Sequence, residues 1–216
     1  MLFTMSPTQR HRPKSRPETV ARRREIVKAA AEVFGAKGYT GGTLIDIAEQ
    51  VGMTHAGILH HFGSKDALLL EVLTYRDETD VEGLEDRHIP GGAELFRHLV
   101  RTALANAQRA GIVQSFVVLS AESVTDEHPA REFFRSRYEV LRGEVERAFR
   151  VMCDERGVAD PGSIDDAAAS ILAVMDGLQV QWLLESDQVD LARSTEFAIE
   201  AIVNAVLAPR PSPLAE

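Results

Sequence analysis

Between Thr43 and Lys65 the chain reads TLIDIAEQVGMTHAGILHHFGSK, two short apolar stripes cut by Gly52 and closed by Gly63. Leu44, Ile47 and Val51 recur at helical steps, and Ile58 and Phe62 do so again after the break. Thr43 and Thr54 stand where N-caps belong. Two helices joined by so short a turn cross steeply. They need a corner residue that takes positive φ and a small residue where the backbones approach, and Gly52 and Ala48 supply both. The combination predicts a helix-turn-helix, against the plainer alternative of two ordinary bundle helices.

On a wheel of about 100° per residue, turning Ile58 and Phe62 inward turns Ala56, Gly57 and His60 outward. His55 and His61 fall on the flanks and Leu59 near the core edge. A face of small residues and imidazoles can seat in a groove, donate to phosphates or base edges, and place Thr and Ala methyls against thymine. Lys65 opens the next helix, where an anion is favoured. A metal site is the competing use of three histidines, but His55 and His60 are five residues apart and no HExxH-like pair or Cys/His zinc spacing is present. Catalysis has no nucleophile elbow, P-loop or GxGxxG to support it, although side chains distant in sequence can still meet in space.

The charge balance fits this division. The chain of 216 residues carries a net charge of −9, yet residues 1–70 hold ten Lys/Arg against six Asp/Glu, net +4, and the remainder is net −13. A basic amino-terminal third suggests one end that meets a polyanion, because salt confines each field to about 8–10 Å. The start, MLFTMSPTQRHRPKSRP, reads as a disordered basic arm over residues 1–17, or as a tail without a role. No apolar run is expected to reach the roughly 18 residues of a membrane span, and no secretory signal is evident, so the expected location is cytoplasmic. Cys153 is the single cysteine, read as a small buried residue rather than a redox sensor.

Helical periodicity dominates elsewhere, without a hairpin dipeptide, giving an all-α expectation of about nine helices. The first runs from Glu18 to a stop at Gly38. A fourth is capped by Ser64, a fifth spans about 93–110, and a sixth covers GIVQSFVVLSAES. Pro129 is placed in the first turn of a seventh reaching about Arg156, roughly 28 residues and 42 Å. Ser163 with Asp166 opens the eighth and Asp190 caps the ninth, before a tail over 210–216.

The run RREIVKAAAEVFGAKGYTGGTLIDIAEQVGMTHAGILHHFGSKDALL resembles the amino-terminal domain of TetR-type transcriptional regulators over about residues 20–80. It carries the A..VF...GY, T...IA..VG and HF.SK..L elements. The resemblance implies a DNA-binding domain over 18–80 and a helical effector-binding and dimerisation domain over 81–209. It implies a homodimer on a palindromic operator, most simply a repressor released by a small molecule. A regulator without an effector and a helical enzyme are the alternatives, and neither cofactor nor catalytic activity is expected. Carried over, Thr43 and Lys65 match phosphate-contacting positions, Thr54, His55, Ala56 and Gly57 the start of the recognition helix, and His60 and His61 its end. Leu59 stands where many members have a tyrosine.

The last two helices show broad alanine-rich faces that either form a four-helix dimer interface or bury within one subunit. For the effector, Phe116, Phe133, Phe134, Tyr138, Met152, Met175, Gln179 and Trp182 are candidates, each with plain core as the other reading.

Overall fold

The computed structural model describes residues 16–80, 91–159 and 161–209. Among them are nine helices and no strand: α1 (Arg16–Gly41), α2 (Leu44–Gln50), α3 (His55–Phe62), α4 (Lys65–Asp80), α5 (Gly92–Asn106), α6 (Ala110–Glu122), α7 (Arg131–Arg156), α8 (Ile164–Leu184) and α9 (Leu191–Leu207). The all-α expectation holds. Residues 1–15 of the expected arm and the expected tail at 210–216 lie outside the described residues, as do residues 81–90. Arg16 and Pro17 already belong to α1, where a proline is tolerated because first-turn N–H groups have no helical partner.

Three boundaries differ from the sequence reading, each for a local reason. α1 does break at Gly38 (φ 70, ψ 175) but helical turns resume to Gly41. α5 ends at Asn106, where a turn over Ala107–Arg109 starts α6 afresh and the Arg109 guanidinium donates to Asn106 Oδ1 at 2.7 Å. Pro129 precedes α7 rather than entering its first turn. The chain reverses through Glu127 (φ 64), and His128 Nδ1 accepts the Ala130 N–H at 3.2 Å.

Two main cores form. The first gathers Ile26, Ala30 and Phe34 of α1, Ile47, Ile58, Leu68 and Leu69 of the short helices and α4, and Phe116 and Leu119 of α6. The second lies among α5, α7, α8 and α9, around Phe149, whose ring is 4.7 Å from that of Phe96, with Ile171 and Ile199. α1 packs on α6 so closely that a Cβ at Gly35 would lie 3.0 Å from the Ser115 backbone nitrogen. Gln114 Nε2 donates to the Gly35 carbonyl at 3.2 Å and Glu122 Oε2 accepts the Tyr39 N–H at 2.7 Å, so the joint is bonded as well as packed.

α8 corrects the expectation that no stretch is long and apolar enough to cross a membrane: its 21 residues pass that test. A core helix passes it equally. Ala168, Ile171, Met175 and Trp182 of α8 are buried inside the protein. Its outer strip is also apolar, and Leu184 and, on α9, Phe197 remain 78% and 75% exposed.

Gly35→Ala tests the joint. Alanine favours a helix, but a methyl pressed on the Ser115 backbone should make the variant less stable by about 1–3 kcal/mol in urea unfolding. A gain in stability would show that α1 and α6 have room to spare.

Candidate nucleic-acid interface and ligand cavity

The turn between α2 and α3 closes as a Schellman motif. The Met53 N–H donates to the Ala48 carbonyl at 2.8 Å and the Gly52 N–H to the Glu49 carbonyl at 3.2 Å, with Gly52 at φ 62. A Cβ at Gly52 would meet nothing, so the glycine is required by its dihedral rather than by space. Thr43 and Asp46 form a capping box: Thr43 Oγ1 accepts the Asp46 N–H at 3.1 Å and Asp46 Oδ2 accepts the Thr43 N–H at 2.9 Å. Thr54 Oγ1 accepts the Gly57 N–H at 3.1 Å and so fixes the start of α3. Gly63 (φ 80) ends α3, and Ser64 Oγ, accepting the Ala67 N–H at 3.0 Å, starts α4.

These caps orient α3 with Ile58 inward and Ala56 and His60 outward, as the wheel predicts, whereas Gly57 and Phe62 both sit at the edge. Ile58 is fully buried; Thr54, His55, Ala56 and His60 are exposed; Gly57, Leu59, His61 and Phe62 are half-buried. Thr43 is exposed at the head of α2, on the connection from α1.

Lys65 is placed differently from the sequence reading. It is half-buried, its ammonium donates to the Tyr39 carbonyl and lies 4.3 Å from the Tyr39 ring centroid, and burial holds its pKa below the ordinary lysine value.

Two residues of this surface were missed. Tyr39 belongs to the GY element but carried no assigned role; its hydroxyl donates to Asp66, and burial with that carboxylate pushes the phenol well above its usual range. Arg23 of α1 donates to the His61 carbonyl, pairs with Glu71 at 2.8 Å and lies 4.3 Å from the Phe62 ring centroid, clamping the end of α3. A cation at a helix C-terminus is a recognisable signal, but the partners are 38 residues apart in sequence. Among the described residues no three His, Cys, Asp or Glu side chains gather as a metal set. Cys153 is buried, and burial pushes its thiol above the ordinary value.

A second concavity lies between α4, α5, α6, α7 and α8, a cavity of about 580 Å³. Of the effector candidates, Phe116, Phe133, Tyr138, Met175 and Gln179 line it. Phe134, Met152 and Trp182 do not. Phe134 stands edge-on to Phe116 within the first core; Met152 packs in the second; Trp182 packs with Ala103, Val113 and Leu191, because its place on α8 turns it toward α5 and α6. Charged residues that the apolar search passed over complete the wall. Arg76 of α4 lies 3.9 Å from the Phe116 centroid and Arg137 of α7 5.2 Å from it. Asp77 Oδ1 bridges the two guanidiniums at 3.3 and 2.7 Å. The Tyr138 hydroxyl donates to Asp176, whose carboxyl burial pushes up, against the opposing pull of that hydroxyl and of Arg76 and Arg137.

A pair of capped helices joined by a tight turn and presenting an exposed polar face, together with a helical body that holds a ligand-sized cavity, defines a helix-turn-helix regulator. Residues 26–72 match the bacterial regulatory proteins of the tetR family, and residues 92–207 match the BetI-type transcriptional repressor C-terminal region. The second match alone spans more than half of the chain, so the protein belongs to the TetR family and is a DNA-binding transcriptional regulator.

The HTH-type transcriptional regulator TtgR of Pseudomonas putida is 29% identical over 196 residues, 85% of this chain and 90% of TtgR. A putative transcriptional regulator from Saccharomonospora viridis, solved in complex with choline, has the same fold at 22% identity and a TM-score of 0.68, over 87% of this chain and 98% of that one. SmeT, the repressor of a Stenotrophomonas maltophilia multidrug efflux pump, matches at 19% identity and a TM-score of 0.68, over 91% and 99%.

The capping box gives a pH test. Asp46 is lowered to about 2, chiefly by the Lys37 ammonium at 2.8 Å and then by the Thr43 N–H and hydroxyl. A folded value below the unfolded one stabilises above about pH 4 and is lost as the pH falls toward 2. Asp46→Asn should flatten that part of the urea midpoint against pH, and Thr43→Ala should cost about 1 kcal/mol at neutral pH.

Proposed function

We propose that residues 18–80 bind DNA and residues 81–209 bind an effector and dimerise, making this regulator a repressor that a small molecule releases, acting in the cytoplasm without catalytic activity of its own. The DNA face comprises Thr43, Thr54, His55, Ala56, Gly57, His60, His61 and Lys65. His60 is its central polar contact, because Leu59 offers no hydrogen bond and packs on the first core. Two copies joined through α8 and α9 place their third helices in successive major grooves, about 34 Å apart. Alanine-rich helices with Leu184 and Phe197 left in solvent support that pairing.

The observation that carries release is the shared wall. α4, which packs on α1 and follows α3 directly, supplies Arg76 and Asp77 to the cavity. A ligand that favours one arrangement of the Arg76–Asp77–Arg137 bridge therefore biases the position of α4, and DNA affinity falls by the ligand's differential affinity for the two states.

A gel-shift on the chain's own upstream DNA at several salt concentrations tests the interface. His60→Ala should weaken specific retention by about 1–3 kcal/mol, and Lys65→Ala should reduce the magnitude of the salt slope by about one. A slope that Lys65→Ala leaves unchanged would assign Lys65 only to holding Tyr39. For the pairing, Phe197→Glu should shift the protein from dimer to monomer in sedimentation; an unmoved dimer would place the interface elsewhere.

A further inference from the structure

Gln179 is 4% exposed, lines the 580 Å³ cavity, and its side-chain oxygen has no hydrogen-bond partner among the described residues. A buried amide oxygen left unsatisfied costs free energy, and such groups mark places where another molecule supplies the donor. The neighbouring positions on α8, Met175 and Asp176, line the same space one turn earlier. Together they make a mostly apolar chamber of ligand size with an acceptor waiting in its wall.

The charges of the chamber are already matched. Asp77 holds both Arg76 and Arg137; Asp176 accepts the Tyr138 hydroxyl and lies in the field of the same two guanidiniums; Glu144 pairs with Arg147 at 2.7 Å. Of the other titratable groups in the wall, Glu78 is exposed and therefore screened by water, and the buried His98 has an interaction of its own. A charged ligand would have to lose its hydration while the counter-charges are committed elsewhere. A neutral ligand has no such cost.

We propose that the effector of this protein is an uncharged, largely apolar molecule carrying a hydroxyl or N–H group that donates to the side-chain oxygen of Gln179. This deepens the reading of the cavity as an effector site and rests on it. The donor accounts for selectivity, because a site with a buried acceptor rejects an analogue of the same shape that cannot satisfy it. The apolar wall of Phe116, Phe133 and Met175 accounts for affinity without specificity.

Calorimetric titration of the full-length dimer with four biphenyls of one skeleton tests this: 4-phenylphenol, 4-methoxybiphenyl, 4-phenylbenzylammonium and biphenyl-4-carboxylate. The phenol should bind about tenfold or more tighter than the methyl ether, the gain of one satisfied buried acceptor, and tighter than either ion. Gln179→Leu should bring phenol and ether within about twofold of each other, and should leave the free protein at least as stable as before, since no described residue donates to the oxygen it removes. An ether equal to the phenol, an ion that binds most tightly, selectivity that survives Gln179→Leu, or no binding by any of the four at millimolar concentration overturns the proposal. The phenol added to the gel-shift separates the two readings. Binding without loss of DNA retention leaves the Gln179 assignment standing and removes ligand release.

Discussion

The contact of α1 with α6 is the joint on which the rest of the molecule turns. Gly35 lets the Ser115 backbone come within van der Waals range, and the Glu122 carboxylate accepts the Tyr39 N–H where α1 kinks at Gly38. Tyr39 then receives Lys65 on its carbonyl and donates its hydroxyl to Asp66, so the start of α4 is hung from the same point. The helices that face DNA are thereby positioned from α6, which also supplies Phe116 to the cavity wall. The cavity wall and the interface helices are thus joined through packed backbone and hydrogen bonds.

The interface itself is built from local rules. Thr43, Gly52, Thr54, Gly63 and Ser64 cap or turn their helices through bonds spanning at most five residues, and each was legible because its chemistry is completed by near neighbours. The wheel that separated Ile58 from His60 worked for the same reason: the periodicity of a helix dictates which side chains share a face, and burial of one face follows. Lys65 was legible as a cation beside the interface but not as one held by Tyr39, since that contact crosses 26 residues.

The cavity shows the opposite case. A search for apolar residues with a few polar companions found Phe116, Tyr138, Met175 and Gln179, yet included Phe134 and Trp182, which face other cores, and passed over Arg76 and Arg137, which form the wall. Nothing local distinguishes a phenylalanine lining a chamber from its neighbour sealing a core; the difference is which helix lies opposite. The charged members were hidden because an arginine on a helix reads as solvated until other helices close over it, the Phe116 ring over both guanidiniums and, for Arg137, the Asp77 carboxylate as well.

Taken alone, the amino-acid sequence determined the helical class, the nine elements, the turn at Gly52, the exposed face of α3 and the basic character of the amino-terminal third, because these follow from periodicity, capping and charge within short windows. Only the tertiary structure decided that Glu122 and Tyr39 join the two halves, that Arg23 clamps the end of α3, that Asp77 bridges the buried Arg76 and the half-buried Arg137, and that the Gln179 oxygen meets no donor among the described residues. Each of those depends on contacts between residues far apart in the chain, and their partners are set by how the helices cross.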